Sequence, residues 1–391
     1  MKGLIRARPG FNKPPGGDFA QLSETARHLQ QLGVEATLSA ALYPPLDDID
    51  VVHLANTNKW MVHWCYAGIL CARERSKPVV VSTIYWPWDE EEQEVLRRRP
   101  YGWTVAKALP KRALPVRVTA TWARARNARS GWPKGWYAIY HSLQRKYRSL
   151  EMQQAVWGMA DVLLPNSRIE ADILKTLHGV QTPCVVVPTA VDPKFAQGDA
   201  NCFAAKYGLQ DFVLCVAAIH ERKNQLSLIQ AMRAVDLPLV LIGAANTRYA
   251  RLCKERAHKN VHFLPPMSQE ELADAYAAAK VHALPTFFET SGLASLEAAI
   301  AGGNVVTTVR GSTVEYFQDM AWYCSPTDVD SIKQAILEAA KAPRSTRLRD
   351  YILAEFTWER AAQRTLEAYQ LAVRMQGKKC AGSGSGEPGE P

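Results

Sequence analysis

The sequence predicts an α/β protein built from two doubly wound domains in tandem, and three observations carry that prediction. At 391 residues the chain exceeds what one hydrophobic core organises. Short apolar runs alternate with segments of helical period through its first half, the mark of βαβ units on a parallel sheet. From residue 211 the same alternation begins again.

In the first series "KGLIRA" (2–7) reads as a strand and "DFAQLSETARHLQQLG" (18–33) as a helix capped by Asp18. "DIDVVHLA" (48–55) and "KPVVVSTIYW" (77–86) read as further strands. "ADVLLPNS" (160–167), a helix over 168–179 and a β-like run "CVVVPTAVDP" (184–193) close a first domain over 1–195, which carries an insertion at 87–150. The second domain, 196–345, opens with strand "DFVLCVAAI" (211–219) and a helix over 224–235. Strands "PLVLIGAA" and "NVHFLPP", helix "SQEELADAYAAAK", strand "VHALPT", a further helix and strand "NVVTTV" (304–309) come next. Helical patterns recur at 330–341 and 358–375, and the segment 346–376 is expected to return to the first domain. Residues 377–391 end in Gly, Ser, Pro and Glu and are expected to be disordered.

A hydrophobic content of 47% fits a folded globular chain, while apolar runs such as 213–219 fall far short of the roughly 20 residues that span a bilayer. The amino terminus lacks the apolar run of a signal peptide, and the eight cysteines show no CxxC spacing. Reduced thiols in a cytoplasm are the expected setting. The net charge of +9 is local: residues 101–150 hold eleven Lys and Arg and no Asp or Glu. Trp103, Trp122, Trp132 and Trp136 are interleaved there, a chemistry suited to an anionic membrane surface or a lipid-linked, phosphate-bearing acceptor. Single-stranded nucleic acid is a less favoured partner for the same residues, and a solvated basic loop is the plain alternative.

The stretch "FFETSGLASLEAAIAGG" (287–303) sets Glu289 and Glu297 eight positions apart around a Ser-Gly pair. A helix opening near Ser291–Gly292 and stopping at Gly302–Gly303 leaves its first amides without internal partners. Those amides and the helix dipole suit a phosphate, and Gly292 lets the backbone come close. Two carboxylates that only accept hydrogen bonds suit the hydroxyls of a sugar. Acids that simply face water are the competing reading.

With that stretch, "GSTVEYFQD", "KNQLSLIQAM", "LPNSRIEADIL", "VPTAVDP", "PPGGDFAQLSETARHLQQLG" and "FTWERAA" make the chain resemble the family 4 glycosyltransferases over nearly its whole length apart from 87–150 and the tail. The resemblance implies the GT-B fold, two facing Rossmann-like domains with a C-terminal crossover helix, the first receiving the acceptor and the second the donor. It implies that Glu297 holds the ribose of a nucleotide and Glu289 the transferred sugar. The amides near Ser291, Gly292 and Leu293 would meet the diphosphate or sugar, Lys223 the diphosphate, and the loop at Gly16–Gly17 the donor phosphate and acceptor. Two departures stand out: relatives carry Gly-Arg where this chain has Ala217–Ala218, with Arg222 as a substitute cation, and Thr-x-His where it has Thr83-Ile84-Tyr85. Tyr85 and Trp86 are candidates to line the acceptor pocket, with a core role as the alternative; His53 and His63 read as structural.

The activity implied is that of a retaining glycosyltransferase moving a hexosyl unit from a nucleotide diphosphate sugar to a hydroxyl of a glycan or lipid-linked glycan, without metal or cofactor. Polysaccharide or lipopolysaccharide assembly in the cytoplasm, peripheral to the inner face of the membrane, is the implied setting. A non-catalytic sugar-nucleotide or glycan-binding protein that keeps the fold is the alternative, motivated by Ala217–Ala218 and Tyr85.

Overall fold

The structure, a computed structural model, describes residues 1–7, 17–41, 44–58, 61–87 and 149–382. They divide into two compact units, one of residues 1–85, 149–188 and 358–382 and the other of 86–87 and 189–357. The chain thus leaves the first unit after Pro188, ahead of residue 195, and rejoins it at Trp358. Gly16 and the basic window 101–150, apart from its last two residues, lie outside the described residues.

The first unit runs β1 (Lys2–Arg6), α1 (Gly17–Gln31), β2 (Glu35–Ser39), β3 (Val51–Ala55), α2 (Val62–Glu74), β4 (Val79–Ser82), α3 (Ser149–Met159), β5 (Val162–Leu164) and α4 (Arg168–Thr176). All strands pair in parallel, in the order β2-β1-β3-β4-β5. Val79, Val80 and Val81 are fully buried, as expected of a central strand covered on both faces. The helix α1 begins at Gly17 itself, not after Asp18. The expected run at 184–193 forms no strand: Cys184 makes one isolated bridge to Leu163, Val185 and Val187 N–H donate to Leu163 O and Pro165 O, and Pro165, lacking an N–H, cannot return the bond that would extend the ladder.

The second unit runs α5 (Ala200–Tyr207), β6 (Phe212–Val216), α6 (Gln225–Ala231), β7 (Leu239–Ile242), α7 (Arg248–Arg256), β8 (Val261–Leu264), α8 (Gln269–Ala278) and β9 (Ala279–Leu284). It continues with α9 (Leu293–Ile300), β10 (Asn304–Thr308), α10 (Thr313–Phe317), β11 (Trp322–Cys324), α11 (Val329–Lys341) and α12 (Thr346–Glu355). Its parallel sheet has the order β11-β10-β9-β6-β7-β8. The order reverses between β6 and β9, so the carboxyl ends of these two strands border the crevice where doubly wound sheets take ligands.

The segment expected to return as one piece is divided. The helix α12 stays in the second unit, whereas α13 (Trp358–Gly382) packs on α1 and the sheet of the first. Because α13 runs to Gly382, residues 377–382 are helical rather than part of a tail. Lys378, Lys379 and Ala381 are good helix formers, and the run of Gly, Ser and Pro begins only at Gly382. Tyr369 of α13 and Ser82 of β4 hold His53 between them, with Nδ1 3.0 Å from the Tyr369 hydroxyl and Nε2 2.8 Å from Ser82 Oγ. Burial pushes His53 down to about 4, so it stays neutral and structural. No described helix is long and apolar enough to cross a membrane.

One buried acid ties the carboxyl ends of β4 and β5 together. Ser167 caps α4 by accepting from Glu170 N–H, and the Glu170 carboxylate accepts from the Thr83 hydroxyl, Tyr85 N–H (2.7 Å) and Asn166 N–H (2.9 Å). Burial pushes the acid up to about 7 while these donors pull the other way. Glu170→Gln sets an amide N–H₂ against donors that need an acceptor. It is expected to cost about 1–3 kcal/mol, read as an earlier unfolding transition in urea. An unshifted transition would remove Glu170 from this structural role.

Candidate donor site at the switch point

Two loops meet where the second sheet reverses, one after β6 and one after β9. The loop after β6 makes a 3₁₀ turn, Glu221–Lys223, stopped by Asn224 in the left-handed region (φ 59°). Asparagine tolerates that conformation, and its side chain uses the position: Nδ2 donates to Pro285 O (3.0 Å) and Pro326 O (2.8 Å). Arg222 O in turn accepts from Phe287 N–H (3.0 Å) and the Thr286 hydroxyl (2.8 Å). The two loops are therefore stitched to each other by backbone groups, and the side chains they carry are fixed in register.

Those side chains form an ion cluster. Lys223 Nζ lies 2.6 Å from Glu289 Oε2, and Arg222 Nη1 lies 3.7 Å from the same oxygen. Arg222 also donates to Phe288 O (2.9 Å) and rests over the Phe288 ring. Glu289 is 7% exposed. Burial alone would raise its pKa, but Lys223, Arg222 and the Thr290 amide outweigh it and hold the carboxyl below the usual range. Burial lowers Lys223, opposed by Glu289, and burial together with the two cations pushes His220 down to about 4. Two cations share one carboxylate, so the cluster keeps an excess of positive charge.

The position of Glu289 is set by its backbone. Glu289 N–H donates to Arg310 O (3.1 Å) and Glu289 O accepts from Ser312 N–H (2.9 Å). Between them sits Gly311 at φ 107°, where an added Cβ would lie 1.9 Å from Glu289 O. Only glycine allows this approach. Three residues on from Glu289, Gly292 takes φ 75° as the N-cap of α9. The first internal bonds of that helix run from Ser295 N–H and Leu296 N–H to Gly292 O, so the amides of Gly292, Leu293 and Ala294 precede the ladder. Ser291 is buried and Leu293 half-buried at this mouth. Cations, amides and helix dipole converge on one place fit for an anion.

Glu297, the fifth residue of α9, is held apart from the cluster: its Oε2 accepts from the Tyr276 hydroxyl of α8 at 2.7 Å. Burial pushes this acid up to about 7, with Tyr276 and Lys194 drawing it down and Asp192 adding to the rise. Sequence reasoning assigned no role to Tyr276 or Gly311. The glycine opens the motif "GSTVEYFQD", but its close approach to Glu289 is a long-range contact that spacing does not reveal; Tyr276 is a lone aromatic in an alanine-rich helix.

Other expectations are corrected. Among the described residues Tyr85 takes the core role: it is 8% exposed, packs edge-on to Trp157 and His178, and its hydroxyl lies 2.9 Å from His178 Nε2. Its ring completes the core, the plainer of the two readings. Trp86 is half-buried. Ala218 is exposed and presents no cation, but Arg222 lies on the same carboxylate as Lys223. Of the loop expected at Gly16–Gly17, Gly17 opens α1.

Residues 204–352 match the family described as glycosyl transferases group 1. The chain is similar to the D-inositol 3-phosphate glycosyltransferase of Mycolicibacterium smegmatis, 28% identical over 247 residues, covering 56% of this chain and 55% of that one. It is 30% identical over 252 residues to the O-antigen chain mannosyltransferase B of Escherichia coli, covering 59% of this chain and 66% of that one. The match thus spans only part of these relatives, about half of the first. Among solved structures, Anabaena HepE in complex with UDP-glucose superposes with a TM-score of 0.61 at 13% identity, over 98% of this chain and 100% of that one. At that identity the likeness is one of fold.

Glu289 has a depressed pKa in the folded protein, so its ion pairs stabilise the fold fully above the ordinary carboxylate range. That contribution is lost as pH falls through the depressed value. Glu289→Gln is expected to flatten the acid limb of a stability-against-pH curve while lowering stability at neutral pH. Superimposable acid limbs for the two proteins would contradict the assignment.

Proposed function

We propose that this chain, one of the family 4-like glycosyltransferases of the GT-B fold, moves a glycosyl unit from a nucleotide diphosphate sugar to a hydroxyl of a glycan or lipid-linked glycan, with retention at the anomeric carbon. The observation that carries the reading is the Lys223–Glu289 pair, with Arg222, set beside the amino end of α9. The relatives' names, a glycosyltransferase and a mannosyltransferase, and the UDP-glucose held by HepE support the donor class.

The chemistry follows from charge. The bond from the anomeric carbon to the diphosphate oxygen breaks with its electron pair leaving on the diphosphate, and Lys223, Arg222 and the amides of α9 stabilise that developing anion. The acceptor oxygen bonds to the same face of the sugar, and its proton passes to a departing phosphate oxygen. Glu289, within the cluster, orients the sugar by accepting from its hydroxyls, and Glu297 accepts from the ribose. Neither acid is cast as a nucleophile, since both lie on the loop and helix that hold the donor. Two cations and a helix terminus supply positive charge without recourse to a divalent ion, so activity is expected to persist in chelator. The basic, Trp-bearing window 101–150 would bring the protein to an anionic membrane face where lipid-linked acceptors are found.

A binding protein without activity is the competing reading. Arg222 on Glu289 speaks against it, because the second cation whose absence at Ala218 motivated that reading is present on the adjacent turn.

Titrating the full chain in chelator with uridine, guanosine and adenosine diphosphate sugars, and following heat and free nucleotide, tests this. One donor is expected to bind and be slowly hydrolysed. Glu297→Ala should lose binding, and Lys223→Ala should slow release about 100-fold or more. Binding with no turnover in any condition would favour the non-catalytic protein.

A further inference from the structure

Tyr276 lies on α8 with its ring 1% exposed, packed edge-on against Phe195 and His282. Nothing in its packing requires a hydroxyl, yet the hydroxyl points at Glu297 and donates to Oε2 at 2.7 Å. Glu297 is half-buried on the first turns of α9, and a glutamate there has three rotatable bonds with which to miss its ligand. A rigid phenol anchored in the core removes most of that freedom. It also occupies one acceptor direction of the carboxylate and leaves the other oxygen for a ligand.

We propose that Tyr276 is the positioning residue of the nucleotide site: its hydroxyl fixes the Glu297 carboxylate in the orientation that accepts hydroxyls of the nucleoside diphosphate. The inference rests on Glu297 meeting the nucleotide, as in the function proposed above. Tyr276 itself touches no ligand; it acts through Glu297.

Among the described residues, the titratable and charged groups that face Glu297 are Tyr276 from α8 and Lys194 and Asp192 from the turn at Pro193–Gln197, the last two paired to each other at 3.3 Å. His282 of β9 meets Tyr276 and not Glu297, and burial pushes it down to about 3, so it carries no charge near neutrality. Glu297 titrates at about 7, so the carboxylate that accepts from a ligand becomes available as pH rises through neutrality. Tyr276 donates to that ionised form, and removing the donor moves the midpoint upward.

Calorimetric titration of the full chain with UDP, GDP and ADP across the neutral pH range, on wild type, Tyr276→Phe, Glu297→Gln and the double variant, tests the proposal. Tyr276→Phe is expected to weaken binding about tenfold near neutrality, to move the midpoint of the pH dependence up, and to recover part of the affinity at higher pH. In the Glu297→Gln background, which has no such pH dependence, Tyr276→Phe is expected to change affinity less than about twofold. Wild-type affinity and midpoint in Tyr276→Phe, or an undiminished effect in the Glu297→Gln background, would overturn it. Should Tyr276→Phe fail to fold, a ring-fluorinated tyrosine at 276 keeps the shape and strengthens the donor. The midpoint should then move down, and an unmoved midpoint overturns the proposal. Wild type that binds none of the three nucleotides, or Glu297→Gln that binds with wild-type affinity and pH dependence, would instead sink the functional reading on which it rests.

Discussion

Removing a charged group from water is costly unless a partner stands ready, and the loop after β9 buries Glu289 where two partners already stand. Lys223 and Arg222 arrive from the other side of the switch point, on a turn whose backbone is bonded to the same loop. Taking one member from such a buried pair leaves an uncompensated charge, at a cost of about 3–5 kcal/mol in comparable systems. The cluster therefore accounts for much else in this unit: the left-handed Asn224, the missing side chain at Gly311 and the left-handed Gly292 each keep one of its backbones in place. With two cations to one anion it is also unfinished electrostatically. In the function proposed above, a diphosphate would complete it and would compete with Glu289 for the cations, leaving that carboxylate more able to accept from sugar hydroxyls.

The first unit uses its buried polar groups differently. His53 is neutral and satisfied on both nitrogens, and Glu170, on the first turn of α4, gathers donors from the ends of two strands. Both are satisfied by neutral partners drawn from several elements, which suits rigid scaffolding. The two cations on one carboxylate at the crevice of the second unit are the physical reason to look for an anion there.

Strongly patterned elements were legible in the sequence, because β6, β7, β9 and β10 are apolar runs bounded by turn residues and α8 opens with a capping box. The strand β2 escaped notice because only Ala36, buried, and Leu38, half-buried, mark its inner side, and α2 because its residues are apolar around most of the helix and so lack an amphipathic stripe. The run at 184–193 misled for the opposite reason: its composition is β-like and Val185 and Val187 N–H donate to Leu163 O and Pro165 O, but Pro165 has no N–H to give back and the ladder stops. At the site, Lys223, Glu289, Glu297 and Gly292 could be named from spacing and resemblance. Their partners could not. Tyr276, Gly311 and the choice of core over pocket for Tyr85 depend on contacts between segments far apart in the chain, which no local pattern records.

The discontinuity of the first unit has a consequence for how the protein comes into being. Its sheet is laid down by residue 164, yet the helix that covers that sheet and supplies Tyr369 to His53 begins only at Trp358. During synthesis the sheet of the second unit's core segment, 189–357, is complete before α13 emerges, so that core can close first. The first unit waits on the ribosome with an apolar sheet face and a half-satisfied histidine until the codons of α13 are read. The unit whose strands are translated first is thus the last to receive all its parts, and the nascent first unit is where a chaperone would have most to shield.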